Sequence, residues 1–307
     1  MKLFSLFCLL FCSLCWMNCF SASSGQGALA DAAQEERGDK RGNDPQKNEK
    51  LTLREQNAIN KLLESKASFC PQPNLTIKRC IEENEAYSKL CLLAKQYIEN
   101  QVREGFAVEN VEQLYKERFD PAYKQNIPLD GSPIRGPEDA PITLVDFADF
   151  KCFACRKLVP LFKQMIEMIN AEHPTPIIRE VHKFVTFAGG DEEARFILGI
   201  REEQGNERCW QARDTLFQES KSLDSYAQEL GFDWNQTKKR MWGGSINDRI
   251  QEDKRLLHEL GIMGVPTFYI NGRLFKWFGP IPQSLQKHFR SWIELELQIL
   301  AETKKFS

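Results

Sequence analysis

The sequence predicts an α/β fold with a mixed sheet, broken by a helical insertion and preceded by a small α-helical module. Three observations carry that reading. Ile142-Thr143-Leu144-Val145-Asp146-Phe147 is an apolar, β-branched run of strand length, and the segment 158–169 behind it has helical periodicity. A second strand pattern covers 177–185. Far downstream, Thr267-Phe268-Tyr269-Ile270, the turn dipeptide Asn271-Gly272 and a returning stretch 274–278 read as a hairpin, closed by an amphipathic helix over 284–300. Strand, helix, strand, helical insertion, hairpin and helix follow one another as in an α/β protein.

The elements before and between these follow in order. The chain of 307 residues starts with Met1-Lys2, an apolar run from Leu3 to Phe20 and the small residues Ser21 to Gly25. A positive end, an apolar middle and a small-residue exit predict a signal peptide over 1–24, hence a periplasmic or cell-envelope location. The run is also long enough for an uncleaved membrane anchor. Lipidation at Cys19 is a further alternative, although Trp16-Met17-Asn18 is a poor match to such a signal. Residues 25–50 are polar without periodicity and predict a disordered linker. In the module, 51–125, Ile59, Leu62 and Leu63 recur at helical spacing, as do Leu90, Leu93, Ala94 and Ile98. A third helix near Val108 to Phe119 is expected to be capped by Asn110. Gly131, Pro133, Gly136 and Pro137 mark a connector into the second domain, 128–303. Its insertion, about 190–245, reads as several helical pieces, with another helix over 248–260. Hydrophobic content of 42% and charged content of 27% are ordinary for a globular chain. A net charge of -2 with interspersed signs gives no electrostatic reason to bind nucleic acid.

The chemistry lies in Asp149-Phe150-Lys151-Cys152-Phe153-Ala154-Cys155, which leaves a predicted strand and opens a predicted helix. Two cysteines three residues apart at a helix start can bring their sulfurs to bonding distance. The first lies among unpaired N–H groups at the positive end of the helix dipole, which favours a thiolate. The second lies one turn in, more buried, placed to attack a mixed disulfide from within. Cys152 is therefore the attacking or attacked sulfur and Cys155 the resolving one. The competing readings are a structural bridge and half of a zinc site. Zinc needs two more ligands, and no second Cys-x-x-Cys or nearby His pair supplies them. His173, His182, His258 and His288 are scattered and read as ordinary surface or core residues. No metal or cofactor is expected.

With Gly264-Val265-Pro266-Thr267-Phe268 added, the stretch 142–157 resembles the DsbA-like branch of the thioredoxin superfamily. The resemblance extends over about 128–303, including Glu192 to Trp210 and Asp214 to Phe217 of the insertion. It implies a thioredoxin-like mixed sheet with a helical insertion. It also implies a cis Pro266 opposite the cysteines that shapes a groove for a substrate chain, with Val265, Phe153 and Phe150 contributing to that groove. Asp146 is implied to be a buried acid of raised pKa beneath the pair, able to take a proton from the resolving thiol; the alternative is an exposed edge carboxylate. The implied activity is disulfide exchange with secreted or periplasmic proteins, as a dithiol oxidase. The implied partners are polypeptides with free thiols or disulfides and a membrane redox protein that recharges the pair. The family's strongest oxidants carry Pro-His between the cysteines. Phe153-Ala154 offers neither charge nor donor, so a weaker oxidant is expected. Two other functions stay open: a disulfide isomerase or reductase that dimerises through the module, and a non-catalytic binding protein on a thioredoxin fold.

Cys70, Cys80, Cys91 and Cys209 allow three full pairings. One unbroken helix would hold Cys80 and Cys91 about 16 Å apart, whereas a bridge needs Cα atoms within about 7 Å. Either the helix breaks near Glu83-Asn84-Glu85 or each cysteine pairs elsewhere. One bridge inside the module is expected, with Cys209 free in a helix core or bridged to the module. The alternative, a second redox pair feeding Cys152, has no close Cys-x-x-Cys spacing behind it.

Overall fold

Two parallel strands, β2 (Ile142–Ala148) and β3 (Ile178–Phe184), form the centre of a five-stranded sheet. β1 (Ile134–Arg135) runs antiparallel to β3 on one side. β4 (Thr267–Ile270) runs antiparallel to β2 on the other and pairs with β5 (Arg273–Leu274), giving the order β1-β3-β2-β4-β5. The computed structural model describes residues 50–69, 75–219 and 221–306. The leader, residues 25–49 of the linker and Cys70 lie outside the described residues, and with them the readings on export and lipidation. Residues Lys50–Ser307 form one unit.

Strand alternation sorts the sheet into two faces. Leu144, Ala148, Phe184, Phe268 and Ile270 belong to one core, which also takes side chains from α5 (Phe153–Ala171), α6 (Asp191–Gln218) and α10 (Gln283–Thr303). Val145, Phe147, Val181, Val185 and Tyr269 belong to a second core with Leu256 and Leu257 of α9 (Gly244–Glu259). Both faces are thus covered, as β2 and β3 need, each strand being buried at all but its second position, the buried polar side chains of β3 included. The insertion comprises α6, α7 (Leu223–Glu229) and α8 (Trp234–Arg240). Within α6, Gly205 leaves helical geometry (φ 85°, ψ -178°), a conformation reserved for glycine, which divides the helix into two pieces.

Two local expectations need correction. Ile134-Arg135, read as connector, adds an edge strand too short for a sequence pattern to reveal. The returning strand of the hairpin stops at Leu274 rather than 278, because Phe275 turns into the aromatic cluster of Phe162, Phe289 and Trp292.

The N-terminal helices are α1 (Leu53–Ser65), α2 (Ile77–Glu83), α3 (Ser88–Arg103) and α4 (Val108–Phe119). Thr52 and Glu55 form a reciprocal capping box on α1. Asn110 is not the cap of α4, which starts after Ala107 without a side-chain cap. Ile59, Leu63, Ala94, Ile98, Val111 and Tyr115 make a core of their own. The helix that would separate Cys80 from Cys91 breaks at Asn84, whose Oδ1 accepts the Tyr87 N–H at 3.3 Å. The two Cα atoms come to 6.1 Å and the sulfurs are bonded. Cys209 is a free, buried thiol.

These helices are fastened to the edge of the sheet and to α10. Arg273 of β5 donates to the carbonyls of Glu117, Phe119 and Asp120 (3.0, 3.3 and 2.8 Å), which the end of α4 leaves without helical partners. Arg118 of α4 meets Glu296 of α10 at 2.6 Å, both buried, and its guanidinium lies over the Trp292 ring at 4.5 Å. No helix among the described residues is long and apolar enough to cross a membrane.

Candidate redox site

Cys152 is the N-cap residue of α5, with extended backbone (φ -71°, ψ 122°), and its Sγ accepts the N–H of Cys155 at 3.4 Å. A capping sulfur satisfies a donor that the first helical turn cannot use. The same Sγ lies 3.5 Å from the carbonyl of Val265, and the Val265–Pro266 peptide bond is cis. The chain reaches that point because β4 pairs with β2 in a register that puts Thr267 opposite Phe147. Cys152 is half-buried and Cys155 fully buried; both are free thiols. Burial pushes the Cys155 thiol well above its ordinary value, with the nearby Cys152 and Asp149 charges acting in the same direction and the Asp149 main chain opposing them. One sulfur is therefore open to a partner, and the other is shielded and protonated behind it.

The surroundings of the cysteines separate the expected groove residues. Phe153 is 73% exposed, with the Lys157 ammonium 4.6 Å from its ring. Val265 is partly exposed beside Cys152. Phe150, also expected in the groove, is buried: it stacks on Phe217 of α6 at 4.5 Å and lies against the His182 ring. It supports the redox turn from below because burying its ring outweighs any exposed role. Two exposed apolar residues that the sequence reading missed flank the motif: Phe187 (59%), beside the Ala188 that bonds Asp149, and Met263 (91%), two residues before Val265. An apolar residue in a loop carries no periodic signal; only proximity in the fold reveals these two.

Asp146 is buried on the sheet face that carries α5, but its expected character is reversed. Burial alone would raise its pKa. The Arg213 guanidinium at 2.7 Å and the His182 ring at 2.8 Å outweigh that and hold the carboxyl down to about 2. Asp146 is thus a locked carboxylate. His182, read as an ordinary histidine, is its strand-to-strand partner on β3. Burial and Arg213 lower the His182 pKa, so the ring is neutral, with Nδ1–H donating to Asp146 and Nε2 lacking a hydrogen-bond partner. Arg213 continues to Asp214 (3.0 Å), which also binds Arg135 and Lys163. The signal for this cluster was present, since Glu180 and His182 share one face of a predicted strand. Its partner Arg213 comes from the insertion, which sequence does not place.

These features define a thioredoxin-fold protein with a dithiol at the start of its first long helix after β2. The chain belongs to the thioredoxin family: the family model described as Thioredoxin matches residues 129–294. Among curated proteins it is 26% identical over 151 residues to the Na(+)/H(+) antiporter NhaA 3 of Salinispora tropica, covering 46% of this chain and 22% of the antiporter. It is 26% identical over 156 residues to a probable disulfide bond formation protein D of Bacillus anthracis, covering 45% of this chain and 69% of that protein. Among solved structures it is similar to BdbD of Bacillus subtilis in its oxidised form, at 19% identity and a TM-score of 0.48, covering 57% of this chain and 97% of that one. The chain thus spans about a fifth of the antiporter's length.

Proposed function

We propose that the protein is an exported thiol–disulfide oxidoreductase that exchanges disulfides with other polypeptides, working as a dithiol oxidase. One observation carries the reading: an accessible Cys152 sulfur caps a helix and faces the Val265 carbonyl at the cis proline, with Cys155 buried behind it. In the oxidised pair, a client thiolate attacks Cys152 Sγ. The Cys152–Cys155 bond breaks, and the Cys155 sulfur leaves with its electron pair and takes up a proton. A second client thiolate then attacks the client sulfur bound to Cys152. The client disulfide forms and Cys152 departs as a thiolate, its sulfur accepting the Cys155 N–H. A membrane redox partner would return the dithiol to the disulfide.

Phe153, Phe187, Met263 and Val265 form an apolar rim suited to unfolded segments of many sequences. Phe153-Ala154 places no charge between the cysteines, which supports a potential below that of the strongest oxidants in the family. The N-terminal helices bury their apolar faces in their own core and are tied to α10 and β5 by Arg118 and Arg273. That supports a role within the chain over a dimerisation arm, and so disfavours the isomerase alternative. The test is the equilibrium of the Cys152–Cys155 pair with glutathione, combined with oxidation of a reduced model peptide. A pair that stays inert to glutathione across its whole range would leave the binding-protein reading.

A further inference from the structure

Asp149 stands three residues before Cys152 and is completely buried. Its carboxylate accepts the N–H of Lys151 at 2.8 Å and the N–H of Ala188 at 2.6 Å. The first bond closes an Asx turn leading into Cys152; the second fastens the loop between β3 and α6 to that turn. The Asp149 carbonyl accepts the Cys152 N–H at 3.1 Å. Gly190, the residue before α6, has ordinary backbone angles (φ -79°, ψ 28°), yet a Cβ there would strike Asp149 Oδ1. The carboxylate, not the backbone, therefore requires glycine at 190. Asp146 is charge-balanced by Arg213, and among the described residues no basic side chain bonds the Asp149 carboxylate.

We propose that Asp149 is the positioning residue of the redox pair, its carboxylate fixing the turn that presents Cys152, binding that turn to the 186–190 loop and keeping a fixed negative charge beside Cys155. The proposal rests on the thiol–disulfide reading above. The charge disfavours a thiolate at Cys155, as noted for its raised pKa. Among the other charged groups around the pair, the Lys157 ammonium lies over the Phe153 ring at 4.6 Å. Lys151 meets Glu193, Arg156 donates to the carbonyls of Leu216 and Glu219, and the Asp146, His182 and Arg213 cluster balances itself on the sheet beneath. Asp149 therefore acts on the resolving step, adding to the effect of burial on Cys155. Cys155 gives its proton to solvent and its thiolate attacks Cys152 Sγ. The Cys152–Cys155 bond forms as the bond from Cys152 to the outgoing sulfur breaks, and that sulfur departs as a thiolate.

The experiment uses the full chain with Cys152 loaded with 2-nitro-5-thiobenzoate, following release of the coloured thiolate by stopped flow across pH. Asp149→Asn removes the charge and keeps the size, so the pH midpoint of release should fall, making release at neutral pH faster. Gly190→Ala keeps the charge but displaces the carboxylate, so the plateau rate should fall. In the double variant D149A/G190A the plateau should equal that of D149A alone, because the new methyl group then has no carboxylate to displace. Unchanged midpoints in D149N overturn the charge argument, and an unchanged plateau in G190A overturns the positioning argument. If D149N does not fold, G190A and its double variant still decide. A wild-type chain that never releases the thiolate overturns the thiol–disulfide reading itself, and with it this one.

Discussion

Among the described residues the chain holds two cysteine pairs, and they differ in everything except the element. Cys80 and Cys91 lie eleven residues apart on two helices, both buried among Leu75, Ile81, Tyr87 and Leu90, and are bonded. Cys152 and Cys155 lie three residues apart at one helix start, with one sulfur half-exposed and both free. Closeness of sulfurs is common to both pairs, so it does not make a pair exchange. Exchange needs one sulfur that a partner can reach and a local source of charge stabilisation. Cys152 is half-exposed and its sulfur accepts a helix-start N–H, whereas Cys80 and Cys91 are buried in hydrocarbon.

The comparison can be broken most directly at Cys152. Cys152→Ser should reduce oxidation of a reduced model peptide to background, and Cys155→Ser should instead trap a mixed disulfide visible by non-reducing electrophoresis. The next effect comes from what lies beneath each pair, charge in one case and hydrocarbon in the other. Arg213→Met leaves Asp146 buried without its counter-charge and should lower unfolding stability by about 3–5 kcal/mol in urea titrations. Opening the bonded pair sharpens the contrast. Cys80→Ala with Cys91→Ala should cost about 3 kcal/mol through loop closure and leave peptide oxidation unchanged.

Acid titration probes the charged side of the comparison with a defined sign. The Asp146 pKa is depressed, so its contribution is full above the unfolded value of 3.8 and lost as pH falls through about 2. That contribution amounts to about 2 kcal/mol. The His182 pKa is also lowered, so the unfolded chain takes up its proton first, and stability falls as pH drops below 6.5. Urea midpoints at successive pH values should fall in both windows in the wild type, and the lower window should flatten in Arg213→Met. The smallest effect is expected at the rim. Phe153→Ala should weaken reaction with an unfolded client by about 1 kcal/mol, roughly fivefold in apparent KM, through lost apolar contact.

The parts legible in sequence are those that depend on neighbours along the chain. The strand at 142–148, the helix opened by Cys152 and the hairpin at Asn271-Gly272 each follow from local period and turn chemistry. The cis bond at Pro266 followed from resemblance. The helix break at Asn84 was one of two readings left open, and the fold settled it by bonding Cys80 to Cys91. Phe150 shows the limit on the other side. An aromatic residue next to a reactive cysteine suits a groove or a core equally well until Phe217, sixty-seven residues away, takes up its face.

By itself, the sequence determined the order of the longer elements and the pair proposed for the chemistry, because hydrophobic period and Cys-x-x-Cys spacing act within a turn or two of chain. Only the tertiary structure decided the charge state of Asp146, the burial of Phe150 and the role of Gly190. Each of these depends on a group brought from another element: Arg213 from the insertion, Phe217 beside it, and Asp149 across a loop. Electrostatics and packing act through space, and a linear pattern does not record which distant side chain arrives.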